Sequence, residues 1–117
     1  QYTYVSSRLV KEVVSLGGSI TSLSATGMYR IDGYTVEVQV KINITTNGTG
    51  ATGLQVTLPV NTAFGHTFIL PGREVAINGV GVVGTAAGGN LVITNYQNLY
   101  PGGDGAEIIV SGTYRKD

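Results

Sequence analysis

Residues Thr35–Thr46 read Thr-Val-Glu-Val-Gln-Val-Lys-Ile-Asn-Ile-Thr-Thr, and this run constrains the fold more than any other. In an extended chain successive side chains point to opposite faces. Val36, Val38, Val40, Ile42 and Ile44 then share one face, and Thr35, Glu37, Gln39, Lys41, Asn43 and Thr45 share the other. Wound as a helix, the same residues would scatter around the axis and form no apolar stripe. Asp32-Gly33 before the run and Asn47-Gly48 after it are turn dipeptides. The segment therefore predicts a long antiparallel strand with one dry face and one wet face.

The rest of the chain fits an all-β domain. At 117 residues it has the size of one domain, and such a chain buries enough surface to fold without covalent staples. Glycine is plentiful, 18 residues, and stands between strand-like runs, as a fold with many tight turns requires. Cysteine is absent, which excludes disulfides and thiolate sites. Seven basic residues balance seven acidic ones, so there is no basic footprint for nucleic acid. No apolar run approaches the ~20 residues of a membrane helix, and membrane insertion is not expected. The chain starts at Gln1 with no visible signal peptide, and is expected to be a processed product or a piece of a longer protein.

Turn signals divide the chain into about eight strands, the pattern of an antiparallel β-sandwich of jelly-roll type. Residues 1–17 read as an N-terminal arm or stem, and 18–117 as the sandwich domain. Residues 1–5 suit a short strand or an arm. Residues 6–16 carry Leu9, Val10, Val13, Val14 and Leu16 at rough helical spacing, with Ser6 or Ser7 as cap and Gly17-Gly18 as stop. Their β-branched content suits a strand almost as well. Residues 19–31 read as a strand, with a hairpin at Asp32-Gly33. Strands also follow at 54–58, 91–95 and 106–114. Residues 60–71 are less regular. Residues 74–83 alternate Val75 and Ile77 against Ala76 and Asn78, with Gly79, Gly81 and Gly84 marking a bulge or a close approach. Residues 85–90 read as a turn and 97–105 as a long loop.

Catalytic chemistry finds little support, and no cofactor is implied. His66 is the single histidine, beside Gly65, and reads as a loop residue rather than a base. Asp32, Glu37, Glu74, Asp104 and Glu107 are scattered, whereas a glycosidase needs two carboxylates facing one bond. Asp104 in Gly-Gly-Asp-Gly suits a turn better than a calcium loop, which takes several carboxylates. Asn43-Ile-Thr45 and Asn47-Gly-Thr49 match the N-glycosylation pattern. The candidate ligand-binding residues are Asn95, Tyr96, Gln97, Asn98, Tyr100 and Asp104, gathered in one expected loop. Aromatic faces stack on sugar rings, and amides and carboxylates bond hydroxyls. The same mixture suits protein recognition. Equally, Tyr96 and Tyr100 could pin the loop to the sandwich. Tyr2, Tyr4, Tyr29 and Tyr34 are secondary candidates, better explained as strand residues.

The run from Ser24 through Met28-Tyr-Arg-Ile-Asp-Gly-Tyr to Val40 resembles a pattern in bacteriophage tail-fibre and tailspike proteins. There a small-residue strand leads into Tyr-x-x-x-Gly, then a long alternating strand, then Leu-Pro. Tyr29, Gly33, Val36, Val38, Val40, Leu58 and Pro59 stand at those places, and Ser111-Gly-Thr-Tyr114 resembles the terminal strand of such modules. The likeness spans residues 18–114. It implies a jelly-roll-like sandwich at the distal end of a homotrimeric fibre or spike on the virion, contacting host-surface polysaccharide or a protein receptor. It fixes no signature binding residue. The expected function is accordingly non-enzymatic receptor binding. The alternatives are a purely structural module that trimerises, caps a fibre or decorates a capsid, and a hydrolase should two carboxylates meet across a cleft.

Overall fold

The computed structural model describes residues 13–117 in full and residues 2–6 as backbone. The expectations for Gln1 and for residues 7–12 lie outside the described residues. Among the described residues nine strands follow in order: β1 (Tyr2–Ser6), β2 (Val13–Gly17), β3 (Ser22–Asp32), β4 (Thr35–Thr46), β5 (Ala51–Thr57), β6 (Thr67–Glu74), β7 (Gly81–Ala87), β8 (Asn90–Asn95) and β9 (Glu107–Arg115). All pairings are antiparallel, in the order β1-β3-β4-β9-β6-β7-β8-β5-β2. The expected all-β, antiparallel, sandwich-like class is what the chain adopts. Its two walls belong to one continuous, curled sheet.

β4 behaves as its alternation demands. Val36, Val38, Val40, Ile42 and Ile44 are buried, while Thr35, Glu37, Gln39 and Lys41 face water. The strand pairs along its length with β3, Asp32↔Thr35 to Leu23↔Ile44, and with β9, Thr35↔Arg115 to Asn43↔Glu107. Gly33 at φ 65° makes the two-residue turn into β4, a conformation that a Cβ would disfavour. The inward residues of β9 (Ile108, Val110, Tyr114), β7 and β8 (Val82, Ala86, Leu91, Ile93) and β5 (Leu54, Val56) join the β4 row in one core cluster. That shared cluster, closed between strands far apart in the sheet order, is why the sheet curls. At ~25 cal/mol per Å² of apolar area buried, it is the main stabilising term.

Two expectations are corrected. Residues 74–83 are not one strand: β6 ends at Glu74, a loop runs through 75–80, and β7 starts at Gly81. The reason is a competing set of backbone partners around Glu74, described below. Residues 85–90 are not a turn, because β7 and β8 pair through Ala87↔Asn90 and only Gly88-Gly89 turns. Residues 13–17 form a strand paired with β5, the strand reading of the stretch 6–16 for its described part. The β6–β7 and β7–β8 registers run without a shift, so Gly81 and Gly84 mark close approach rather than a bulge. A Cβ on Gly84 would stand 2.7 Å from Leu91 Cδ1.

The β6–β9 seam determines the shape of one end. Its ladder covers only Gly72↔Val110 to Glu74↔Ile108. Below it the strands part, and the loop of residues 58–66 crosses the gap. Buried Tyr114 donates its hydroxyl to the Val60 carbonyl at 2.8 Å, and Ala63 N–H donates to Arg115 O at 2.7 Å. Burial chiefly raises the Tyr114 phenol, to about 12. Thr62, also buried, accepts at Oγ1 from Gly88 N–H and donates its own N–H to Gly88 O. These bonds satisfy the buried polar groups of a loop that would otherwise leave them unpaired.

Gly72 is where this seam is tightest. A Cβ there would lie 2.4 Å from Ile109 O and 2.7 Å from Val110 Cγ2, and a backbone oxygen cannot rotate away. Gly72→Ala should cost about 1–3 kcal/mol of unfolding free energy, read by urea denaturation. Gly65→Ala should cost less: no atom lies within 4 Å of its Cβ position, leaving only its φ of 77° to penalise.

Candidate functional sites at the two ends of the sheet

Antiparallel pairing sends the loops to two opposite ends. One end carries residues 18–21, 47–50, 75–80 and 96–106. The other carries the Gly33 hairpin, residues 58–66, the Gly88-Gly89 turn and the tail after β9. All six candidate ligand-binding residues fall at the first end.

There the structure separates anchoring residues from displayed ones. Asn47 is the hub. Its Oδ1 accepts from the Tyr100 hydroxyl, its Nδ2 donates to Gly50 O, and its N–H donates to Asp104 Oδ1 at 2.7 Å. Tyr100 is half-buried against the core, and burial raises its phenol above the usual range. A Cβ on Gly50 or Gly102 would strike the Tyr100 hydroxyl, so both glycines make room for it. Tyr100 and Asp104 thus hold the end together. Asn95 also works locally: Oδ1 accepts from Gln97 N–H and Leu99 N–H, a side-chain-closed turn that leaves Asn98 at φ 65°. Tyr96 is different. It is 66% exposed, and its ring lies over Gly81, where a Cβ would stand 2.8 Å from Cε2.

Beside this loop stands a device that the sequence did not advertise. Glu74 continues the inward series Phe68, Leu70, Gly72 of β6 and is fully buried. Its carboxylate accepts from the N–H groups of Ala76, Ile77, Asn78, Gly79 and Glu107 at 2.8–3.2 Å. Burial alone would push its pKa up, but the donated backbone hydrogen bonds outweigh it and hold the group at about 2. Those N–H groups cannot serve a sheet ladder at the same time, so residues 75–80 wrap the carboxylate. Val75, Ile77 and Val80 are left exposed. The alternation that mimicked a strand is the outward display of this loop.

The other end holds an open pocket of about 560 Å³, lined by Tyr34, Ala63, Phe64, His66, Phe68, Arg115, Lys116 and Asp117. It opens where β6 and β9 part. Phe64 is 90% exposed and Tyr34 60%. The Lys116 ammonium stands 5.8 Å from the Tyr34 ring centroid, and the His66 and Phe68 rings are tilted neighbours 6.4 Å apart. The Asp117 carboxylate accepts from Phe64 N–H, and Lys116 Nζ donates to Asp117 O. Sequence reading missed this grouping because Phe64 and Arg115 are far apart in the chain. The fold unites them where the loop meets the end of β9, through Ala63 N–H to Arg115 O and Phe64 N–H to the Asp117 carboxylate.

His66 is therefore a pocket-wall residue. Tyr29 and Tyr34 divide: the first packs against the core, and the second is exposed in the hairpin. The side chains of Tyr2 and Tyr4 lie outside what is described. Among the described residues no group of three or more His, Asp and Glu is placed to hold a metal. Of the two glycosylation patterns, Asn47 has both side-chain atoms engaged, and Asn43 stands within β4 opposite Ser24 and Glu107. Compared with known proteins, the chain matches no family model, no curated protein and no solved structure.

Glu74→Gln keeps the shape but removes one acceptor and points an NH₂ at backbone donors. It should cost about 2–4 kcal/mol and speed amide exchange at residues 76–79. Because the folded pKa is lowered, the Glu74 contribution is complete above the unfolded value near 4.5 and is lost as pH falls toward about 2. Unfolding titrations across that window should show a steeper acid decline in the native chain than in the variant.

Proposed function

We propose that this chain is a non-enzymatic receptor-binding module of the kind that ends a phage tail fibre or spike. It works on the virion as a homotrimer and contacts a host-surface receptor, with polysaccharide as the ligand class. The observation that carries this reading is the contrast at the first end. Tyr96 is displayed on a frame whose polar groups are already consumed by Asn47, Glu74 and Asn95. Recognition loops held by a rigid scaffold have this form, and a tyrosine in such a place offers contact area at low entropic cost. Asn98 and Gln97 flank it with amides. Three such ends in one trimer would combine weak sites into useful avidity.

A second reading has its own support. Val75, Ile77, Val80 and Leu99 are exposed at the same end, an aliphatic set better suited to meeting protein than sugar. A structural module that trimerises or caps a fibre without a ligand would use it.

Binding to a panel of bacterial cells and their purified surface polysaccharides separates the two. Tyr96→Ala should reduce binding at least tenfold with unfolding free energy unchanged within about 0.5 kcal/mol, as for an exposed side chain. Tyr100→Phe should instead cost about 1 kcal/mol of stability, since it leaves Asn47 Oδ1 without its donor. Undiminished binding by the folded Tyr96→Ala variant would defeat the loop assignment. Light scattering at micromolar concentration should give three times the 12.2 kDa chain mass, and a monomer would remove the fibre-tip reading.

A further inference from the structure

We infer that the pocket between Tyr34, Phe64 and Arg115, at the end opposite Tyr96, is a second binding site, for a saccharide bearing a carboxylate. The inference is independent of the proposed role of the Tyr96 loop.

Its charge comes first. The Arg115 guanidinium makes no hydrogen bond or ion pair among the described residues, whereas Arg30 and Lys41 pair with Glu37 and Glu107. Lys116 adds a second cation to the rim, its Nζ donating to Asp117 O and standing 5.8 Å from the Tyr34 ring centroid. Among the described residues of the lining Asp117 is the one acidic side chain, and its carboxylate accepts from Phe64 N–H. The pocket thus presents an unused planar fork of donors, the geometry that binds a carboxylate with two parallel hydrogen bonds.

The aromatic lining selects the rest of the ligand. Phe64 and Tyr34 are among the most exposed large side chains described, and they stand on the same rim as Arg115. The pocket is open, so it does not enclose a compact apolar ligand as a drug-like cavity would. A pyranose ring presents a C–H face to an aromatic side chain and hydroxyls to water, which suits a surface that stays wet. A uronic or sialic acid adds the carboxylate for Arg115 on the same ring.

The architecture keeps the site in place. Ala63 N–H to Arg115 O ties the Phe64 loop to β9, and Lys116 N–H to Tyr34 O ties the tail to the hairpin. Thr62 fixes the other side of the loop to the Gly88 turn. Three separate stretches of chain are therefore locked by backbone bonds and by the Thr62 hydroxyl, none of which uses a lining side chain, and the pocket exists before any ligand arrives.

The test is calorimetric titration with tetragalacturonate and 3′-sialyllactose, using fully methyl-esterified tetragalacturonate and lactose as neutral counterparts. At least one acidic saccharide should bind, at least tenfold more tightly than its neutral counterpart, and binding should weaken as salt is raised. Arg115→Gln and Phe64→Ala should each lower affinity at least tenfold. Both residues are exposed, so both variants should keep the native melting curve. Tyr96→Ala should leave this binding unchanged. Binding by neither acidic saccharide, equal binding of acid and neutral forms, or full affinity in the Arg115→Gln variant would overturn the inference. Preference for a polyglutamate peptide over both saccharides would overturn it too, in favour of an acidic-peptide site.

Discussion

The β4 ladder is the constraint on which the rest of the molecule depends. Five consecutive inward positions, Val36 to Ile44, are β-branched and buried, and a strand so patterned cannot slip by one residue without turning that face to water. Its register therefore fixes β3 on one side and β9 on the other. β9 in turn carries β6 for only three pairs before the two strands part. The upper half of that seam closes over Glu74, and the lower half opens into the pocket. Both candidate sites descend from where a single ladder stops.

Their construction differs. At the Tyr96 end, side chains supply the bonds: Asn47, Asn95, Asp104 and Glu74 each satisfy neighbouring backbone groups. At the Phe64 end, the loop and tail are held mainly by backbone pairs, with Thr62, Tyr114 and Asp117 as side-chain supports. The first end has spent most of its polar side chains on its own shape and displays apolar surface. The second retains a cation and exposed rings for something else.

How far this was legible in the sequence follows from the range of each signal. β4 was readable residue by residue because alternation is local and its turns are marked by Asp32-Gly33 and Asn47-Gly48. The hairpin into it was readable for the same reason. Residues 74–83 misled because Val75, Ala76, Ile77 and Asn78 alternate in a strand's manner, while the group that bends them is a carboxylate at position 74. A glutamate that accepts from five backbone N–H groups has no periodicity to betray it. The Tyr100 and Asp104 roles depend on Asn47, a residue far back in the chain and visible beforehand only as a turn marker. The pocket at the other end needs β6 and β9 side by side, a pairing set by the whole sheet order and by no local pattern.

The Glu74 arrangement has a consequence for how this surface can change over time. A loop fixed by its own side chains must keep them. Residues 75–80 are fixed instead mainly by main-chain amides converging on one interior anion, so their path depends on few of the side chains they carry: Asn78, whose Oδ1 accepts from Val80 N–H, and Gly79 with its φ of 68°. Val75, Ile77 and Val80 are thereby released from structural duty. The module can exchange the residues it shows to a counterpart while its outline stays constant, an interchangeable face mounted on a permanent bracket.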